Sequence, residues 1–235
     1  MWGSFSLSPL FVLDSVICVL EACGVVVLYF RRLVYYLLIE RVYSMTDDDV
    51  LQIFKDTKAL LEGHFELRSK LHSNRYFQCA EVLRWPHHAQ TLCAELVRRM
   101  KEEADIGPVD GVISPALGGI LVGHEVAKAL GTQCIFAEKN AEGMLQMRRF
   151  KIIPGQRYVV AEDVITRGGR VQETIDIVKA AGGEVAAVLV LVDRSGGKAK
   201  FDYPTYALLH IEPQVWEPAD CPMCKANEPF VHPGS

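Results

Sequence analysis

The sequence predicts an α/β protein built on an open parallel sheet flanked by helices, preceded by a hydrophobic N-terminal extension. Three observations predict it. Short β-branched or small apolar runs at residues 109–114, 133–137, 158–161 and 184–192 alternate with stretches of helical periodicity, the order expected of a parallel sheet. Two of these runs lead into glycine loops that open helices, and 235 residues, half of them hydrophobic, suffice for one such domain plus attachments.

A net charge of −4 argues against a nucleic-acid partner held by bulk charge. Seven scattered cysteines are too sparse for a disulfide scaffold and fit a reducing, cytoplasmic compartment.

Residues 1–44 differ from the rest. An apolar run from Val16 to Phe30 carries only Glu21, and after Arg31 and Arg32 a second run covers residues 33–39. Neither reaches the roughly twenty residues of a membrane span, and no basic residue precedes the first as in a secretory signal. An anchor with Arg31, Arg32 and Arg41 on the cytoplasmic side, a helix added to the soluble fold and an upstream stretch included by a mis-called start all stay open. The last is preferred, because Met45 is followed by Thr46 and three aspartates, an N-cap and acidic first turn for a helix through Leu61. Membrane contact is expected only if residues 1–44 are real and inserted.

In residues 63–76, Phe65 and Leu67 alternate with polar neighbours as in a short strand, and Arg68, Lys70, His72 and Arg75 suggest a solvated hairpin. Residues 87–103 read as an amphipathic helix through Leu92, Leu96 and Met100. His87 and His88 are adjacent and cannot share a helix face as a metal pair would.

Residues 109–114 form the first sheet strand. Pro115, Ala116, Leu117, Gly118 and Gly119 then feed a helix over 120–130, where free N–H groups and the helix dipole suit an anion. After the strand 133–137 come Glu138 and Lys139. Residues 140–149 turn flexible and cationic, ending in Arg148 and Arg149, as either a loop over a diphosphate or a solvated hairpin.

The strand 158–161 runs straight into Glu162 and Asp163. Val164, Ile165, Thr166, Arg167, Gly168, Gly169 and Arg170 then lead to a helix over 171–181 with Val171, Ile175 and Val178 on one face. Glycines at a helix N-terminus let backbone N–H groups approach a phosphate, Thr166 adds a hydroxyl, and Arg167 or Arg170 adds charge. The paired carboxylates accept from vicinal hydroxyls. Phosphate at one end and a diol at the other describe ribose 5-phosphate.

The strand 184–192 ends at Asp193 and Arg194, toward the usual ligand crevice of an open α/β sheet, with a planar fork suited to a carboxylate. Residues 203–211 read as an edge strand. In the tail, Cys221 and Cys224 supply two of the four ligands a structural zinc takes, with His232 the nearest further candidate.

Residues 160–171 resemble the phosphoribosyl pyrophosphate signature of the type I phosphoribosyltransferases: strand, Glu/Asp-Asp, two apolar residues, Thr, any residue, Gly-Gly. The Phe65, Leu67, Ser69, Ser73 and Tyr76 spacing is similar to the hood motif of the orotate phosphoribosyltransferases, with Lys70 where that family commonly has Gly. The resemblance covers about residues 46–212. It implies a phosphoribosyltransferase domain over 45–212 with a hood at 63–80 that covers the base site, followed by a tail over 213–235.

It also implies residue roles. Glu162 and Asp163 hold the ribose diol and, with Lys139, are the catalytic candidates. Residues Glu162 to Arg170 bind phosphoribosyl pyrophosphate, Ser114 to Gly119 receive its pyrophosphate, and Lys139, Arg148 and Arg149 close over it. Lys139 matches the family by position, the two arginines only by character. Thr166 and Arg194 contact orotate. Mg²⁺ is held mainly by the substrate rather than by the chain, and the family is homodimeric with shared sites. The rivals are a type I enzyme acting on a purine, which gives Arg194 no carboxylate, and a non-catalytic regulator that binds the same donor. A regulator of nucleic acid calls for a basic face or a helix-turn-helix, which the sequence lacks.

Overall fold

The structure, a computed structural model, describes residues 44–67, 69–212 and 214–233. The readings for residues 1–43 and for Arg68 fall outside them. Residues 45–235 form one compact unit.

The first helix, α1 (Asp47–Asp56), is closed at its start by a reciprocal cap. The Asp49 N–H donates to Thr46 Oγ1 at 3.2 Å, and the Thr46 N–H donates to Asp49 Oδ2 at 2.9 Å. The helix stops short of the expected Leu61. Lys58 takes a left-handed φ of 60°, and Leu60 and Leu61 pair with Phe77 and Tyr76 as the first residues of a strand. Sheet pairing and burial of Leu60 outweigh the helical spacing there.

That strand, β1 (Leu60–Glu66), runs antiparallel to β2 (His72–Phe77), and the late strand β9 (Val215–Trp216) adds to the other edge of β2. In the connecting turn Lys70 adopts φ 66°, the left-handed region that a glycine enters without strain. The hairpin is less solvated than its composition suggests, since His64, His72 and Ser73 are buried. Two helices follow, α2 (Cys79–Leu83) and α3 (Pro86–Glu103).

The main sheet is built from β3 (Gly111–Pro115), β4 (Gln133–Lys139), β5 (Leu145–Gln146), β6 (Arg157–Ile165), β7 (Glu184–Asp193) and β8 (Thr205–His210), in the order β5-β4-β3-β6-β7-β8. Every pairing is parallel except that of the short β5 with β4. The expected edge strand is β8, and residues 140–149 form a short hairpin closed by β4 and β5.

Alternation along the strands separates two cores. Val112 and Val159 point to one face with Leu92, Leu96 and Met100 of α3 and Val122 and Val126 of α4 (Gly118–Leu130). Ile113 and Val160 point to the other, against Val171, Ile175 and Val178 of α5 (Gly169–Ala180). Each such buried side chain contributes on the order of 1.5–3 kcal/mol of transfer free energy, so the sheet is clamped from both sides. This rigidity fixes the carboxyl ends of β3 and β6, where the loops to α4 and α5 begin. A last short helix, α6 (Pro222–Lys225), follows β9. Among the described residues, no helix is long and apolar enough to cross a membrane.

Candidate active site

β6 continues past the expected Ala161 to Ile165, so both acids belong to the strand, with Glu162 opposite Val190 of β7. Beyond it the chain turns through Thr166 and Arg167 to Gly168, which caps α5 at φ 78°. A side chain at Gly168 would also meet Ala199 and Phe201 at 3.0 Å, so both conformation and space demand glycine.

A cavity of about 650 Å³ opens between this turn and the loop from β3 to α4. Its walls are Pro115, Ala116, Leu117 and Gly118 on one side and Glu162 to Thr166, Gly168, Arg170 and Val171 on the other, with Lys139 at the end of β4. Neither α4 nor α5 has a side-chain N-cap, so two uncapped helix N-termini flank one cavity. That doubles the anion-binding element. The Ala116–Leu117 peptide in the first loop is cis.

The two acids are packed rather than solvated. The Asp163 N–H donates to Glu162 Oε1 at 3.1 Å, and the Val164 N–H donates to Asp163 Oδ1 at 2.8 Å. Burial, and then the charge of Asp163, pushes Glu162 up to about 9, while burial also raises Asp163. Two carboxyls this close and this dry share a proton near neutrality. Gly118 and Gly119 make room for them. A Cβ at Gly118 would lie 2.7 Å from Asp163 Oδ2, and one at Gly119 3.0 Å from Glu162 Oε1.

Not every expected residue reaches the cavity. Ser114 is buried beneath α4, where a Cβ at Gly123 would come within 2.6 Å of its Oγ, and Gly119 packs beneath the acids. Arg167 and Gly169 are exposed just outside the lining. Arg170 lines it while donating to Glu173 Oε2 at 2.7 Å. Arg148 and Arg149 stand outside, Arg149 donating to Glu138 Oε2 at 3.1 Å. The hairpin is further tied to α5 by a hydrogen bond from the Leu145 N–H to Glu173.

Arg194 is held just after β7 by its N–H, which donates to the Ile165 carbonyl at 2.8 Å. Its guanidinium lies over the Phe77 ring, and its buried Nε has no acceptor among the described residues. Burial lowers its pKa. Cys79, whose Sγ donates to the Asp163 carbonyl at 3.8 Å, links this corner to the acids. Phe77 and Cys79 were not singled out by the sequence; they gain their place only from the pairing of β1 with β2.

A phosphoribosyl transferase domain matches residues 80–224. The orotate phosphoribosyltransferase of Heliobacterium modesticaldum is 49% identical over 191 residues, covering 81% of this chain and 99% of the relative. The chain belongs to the orotate phosphoribosyltransferase family. The fold of that family is also seen in the crystal structure of orotate phosphoribosyltransferase from Aeropyrum pernix, with a TM-score of 0.56, 24% identity and coverage of 68% of this chain and 93% of that one. Adenine phosphoribosyltransferase from Rhodothermus marinus has the same architecture, with a TM-score of 0.52, 19% identity and coverage of 68% and 99%. The architecture is thus common to enzymes named for different bases, so the fold by itself does not name the base.

Proposed function

We propose that the chain transfers ribose 5-phosphate from phosphoribosyl pyrophosphate to orotate, giving orotidine 5′-monophosphate and pyrophosphate in de novo pyrimidine synthesis. The observation that carries this reading is the buried Glu162–Asp163 pair facing a cavity between two uncapped helix N-termini.

The β6–α5 turn takes the 5′-phosphate on its backbone N–H groups, with Thr166 and Arg170 beside it. Glu162 and Asp163 accept from the ribose 2′ and 3′ hydroxyls, and the one negative charge that the proton-sharing pair keeps steadies an oxocarbenium-like anomeric carbon. The loop at residues 115–118 receives the pyrophosphate, and Lys139 neutralises it as the anomeric carbon–oxygen bond breaks, a ring nitrogen of orotate bonds to that carbon, and the proton of that nitrogen passes to the departing pyrophosphate. Arg148 and Arg149 join Lys139 only after a movement of their hairpin, in the same site or in that of a second subunit of a homodimer. Arg194 grips the orotate carboxylate through its guanidinium, whose Nε has no acceptor among the described residues.

The oxygen-rich rim of hydroxyls, phosphates and carboxylates suits Mg²⁺, which bound mainly to substrate oxygens would neutralise the leaving group. A cytoplasmic location fits the free thiols of Cys79, Cys93, Cys134, Cys221 and Cys224. A domain limited to residues 45–212, with 213–235 as a tail, remains part of this reading. Conversion of orotate to orotidine 5′-monophosphate, followed with Mg²⁺ and with a chelator in its place, tests it. Product should form only with the metal, and equal rates in both would contradict the metal's part.

A further inference from the structure

Four donors that lie far apart in sequence converge beside the hairpin. His64 Nε2 is 2.7 Å from His72 Nδ1, Cys221 Sγ is 3.5 Å from His64 Nε2, and Cys224 Sγ is 3.7 Å from His64 Nε2 and 3.2 Å from His72 Nδ1. All four ligand atoms fall within 4.8 Å of one another, and His64, His72 and Cys221 are buried. His232, the candidate nearest in sequence, does not join them. It is exposed, with Nδ1 at 3.5 Å from Glu66 Oε1.

We propose that His64, His72, Cys221 and Cys224 form a structural zinc site that staples the C-terminal segment to the hood hairpin. Zinc bound tetrahedrally at about 2.3 Å to sulfur and about 2.0–2.1 Å to nitrogen separates its ligand atoms by about 3.3–3.8 Å; the three sulfur–nitrogen separations of 3.2, 3.5 and 3.7 Å lie close to this, while the two nitrogens at 2.7 Å must part by a few tenths of an ångström to admit the ion. Two thiols and two imidazoles with no carboxylate among them is the donor set of a closed zinc site.

The outward nitrogens carry a second, independent indication. His64 Nδ1 lies 2.9 Å from the Glu228 carbonyl oxygen, so it carries a proton and leaves Nε2 with a lone pair aimed into the cluster. His72 Nε2 lies 4.0 Å from Glu66 Oε2, beyond hydrogen-bond reach, but the carboxylate favours a proton on that nitrogen and so a lone pair on the inward Nδ1. Nδ1 of His72 and Nε2 of His64 face each other at 2.7 Å, a pair that repels with both lone pairs inward unless a proton or a metal ion lies between them. A carbonyl and a carboxylate behind ligating histidines are the usual supports of such a site.

The location gives the site its work. The sheet β1-β2-β9 has three strands, and β9 contributes only two residues to it. The tail adds the Val231–Phe65 bridge and the Phe230 ring against both histidines. A metal joining β1 and β2 to α6 crosslinks all of this, and β2 ends at the Phe77 beneath Arg194.

The test uses the full chain purified under reducing conditions without added chelator. Elemental analysis should find about one zinc per chain, and a thiol-modifying mercurial should release it to a colorimetric zinc indicator. Replacement by Co²⁺ should give the visible bands and sulfur-to-metal charge transfer of a tetrahedral thiolate site. Cys224→Ser should abolish the bands or weaken Co²⁺ binding at least tenfold. Because a cysteine variant can misfold, the wild-type release and cobalt spectrum stand as separate readouts. Wild-type protein that carries no zinc and gives no tetrahedral Co²⁺ spectrum after reduction would overturn the proposal, as would zinc retained undiminished in a folded Cys221→Ser, Cys224→Ser double variant.

Discussion

The guanidinium carbon of Arg194 lies 5.4 Å from the centre of the Phe77 ring, so the end of the main sheet meets the end of the hood hairpin through one stacked contact. The stack holds the planar group in place while its Nε stays without an acceptor among the described residues.

Arg194→Ala should therefore raise the KM for orotate by about 10- to 100-fold, the worth of a charge-assisted hydrogen-bonded pair, with a smaller change in the KM for phosphoribosyl pyrophosphate. Arg194→Lys should recover little, because an ammonium neither stacks nor forks. Steady-state kinetics with each substrate varied in turn checks both.

The acid pair makes stability depend on pH. Glu162 has a folded pKa near 9 against an ordinary value of 4.5, so between these limits the folded chain holds a proton that the unfolded chain releases. The stability this proton provides is full at the acidic end of that window and is lost as pH rises toward 9. Ligand-free protein should lose roughly 1–3 kcal/mol, or about 3–10 °C in Tm, between about pH 5.5 and 8.5. Glu162→Gln should flatten that slope, and thermal unfolding across the range decides.

Gly118→Ala adds a methyl group 2.7 Å from Asp163 Oδ2, where no ordinary contact is so short. The acid must turn from its place on the cavity wall, which the proposed function gives to the ribose hydroxyls. The expected result is a fall of about tenfold or more in kcat/KM for phosphoribosyl pyrophosphate with Tm changed by only a few degrees. Parallel kinetic and melting measurements separate this from general misfolding.

These residues also show what was legible beforehand. The strand–acid–glycine stretch was readable because its periodicity, carboxylates and turn residues lie within a dozen positions. That Gly118 and Gly119 make room for those acids was not, since β3 and β6 must first pair. His64 and His72 looked solvated because polar residues in a short hairpin usually are, and their burial depends on Cys221, Phe230 and Val231 arriving from more than 140 positions away. The helix expected through Leu61 ended early for a similar reason: nothing local announces that Leu60 and Leu61 pair with Phe77 and Tyr76.

Away from the site, Glu95 holds two cations. Arg98 donates to it twice at 2.7 Å and Arg99 once at 2.9 Å, while Arg99 also reaches Asp47 Oδ1 at 2.7 Å and the Met45 carbonyl at 3.0 Å. Removing the buried partner leaves Arg98 with Glu102 and Arg99 with Asp47 and two carbonyls. Glu95→Ala should cost about 1–2 kcal/mol and loosen α1, while kcat/KM at room temperature stays within about twofold. Denaturant titration alongside the assay measures it.

The central claim is the choice of orotate, and the most direct measurement is pyrophosphate release from phosphoribosyl pyrophosphate and Mg²⁺ with orotate, uracil, hypoxanthine, guanine or adenine offered singly. Protein begun at Met45 and the full chain should both turn over with orotate alone. Release with a purine and none with orotate would contradict the account while leaving the fold and the donor site in place.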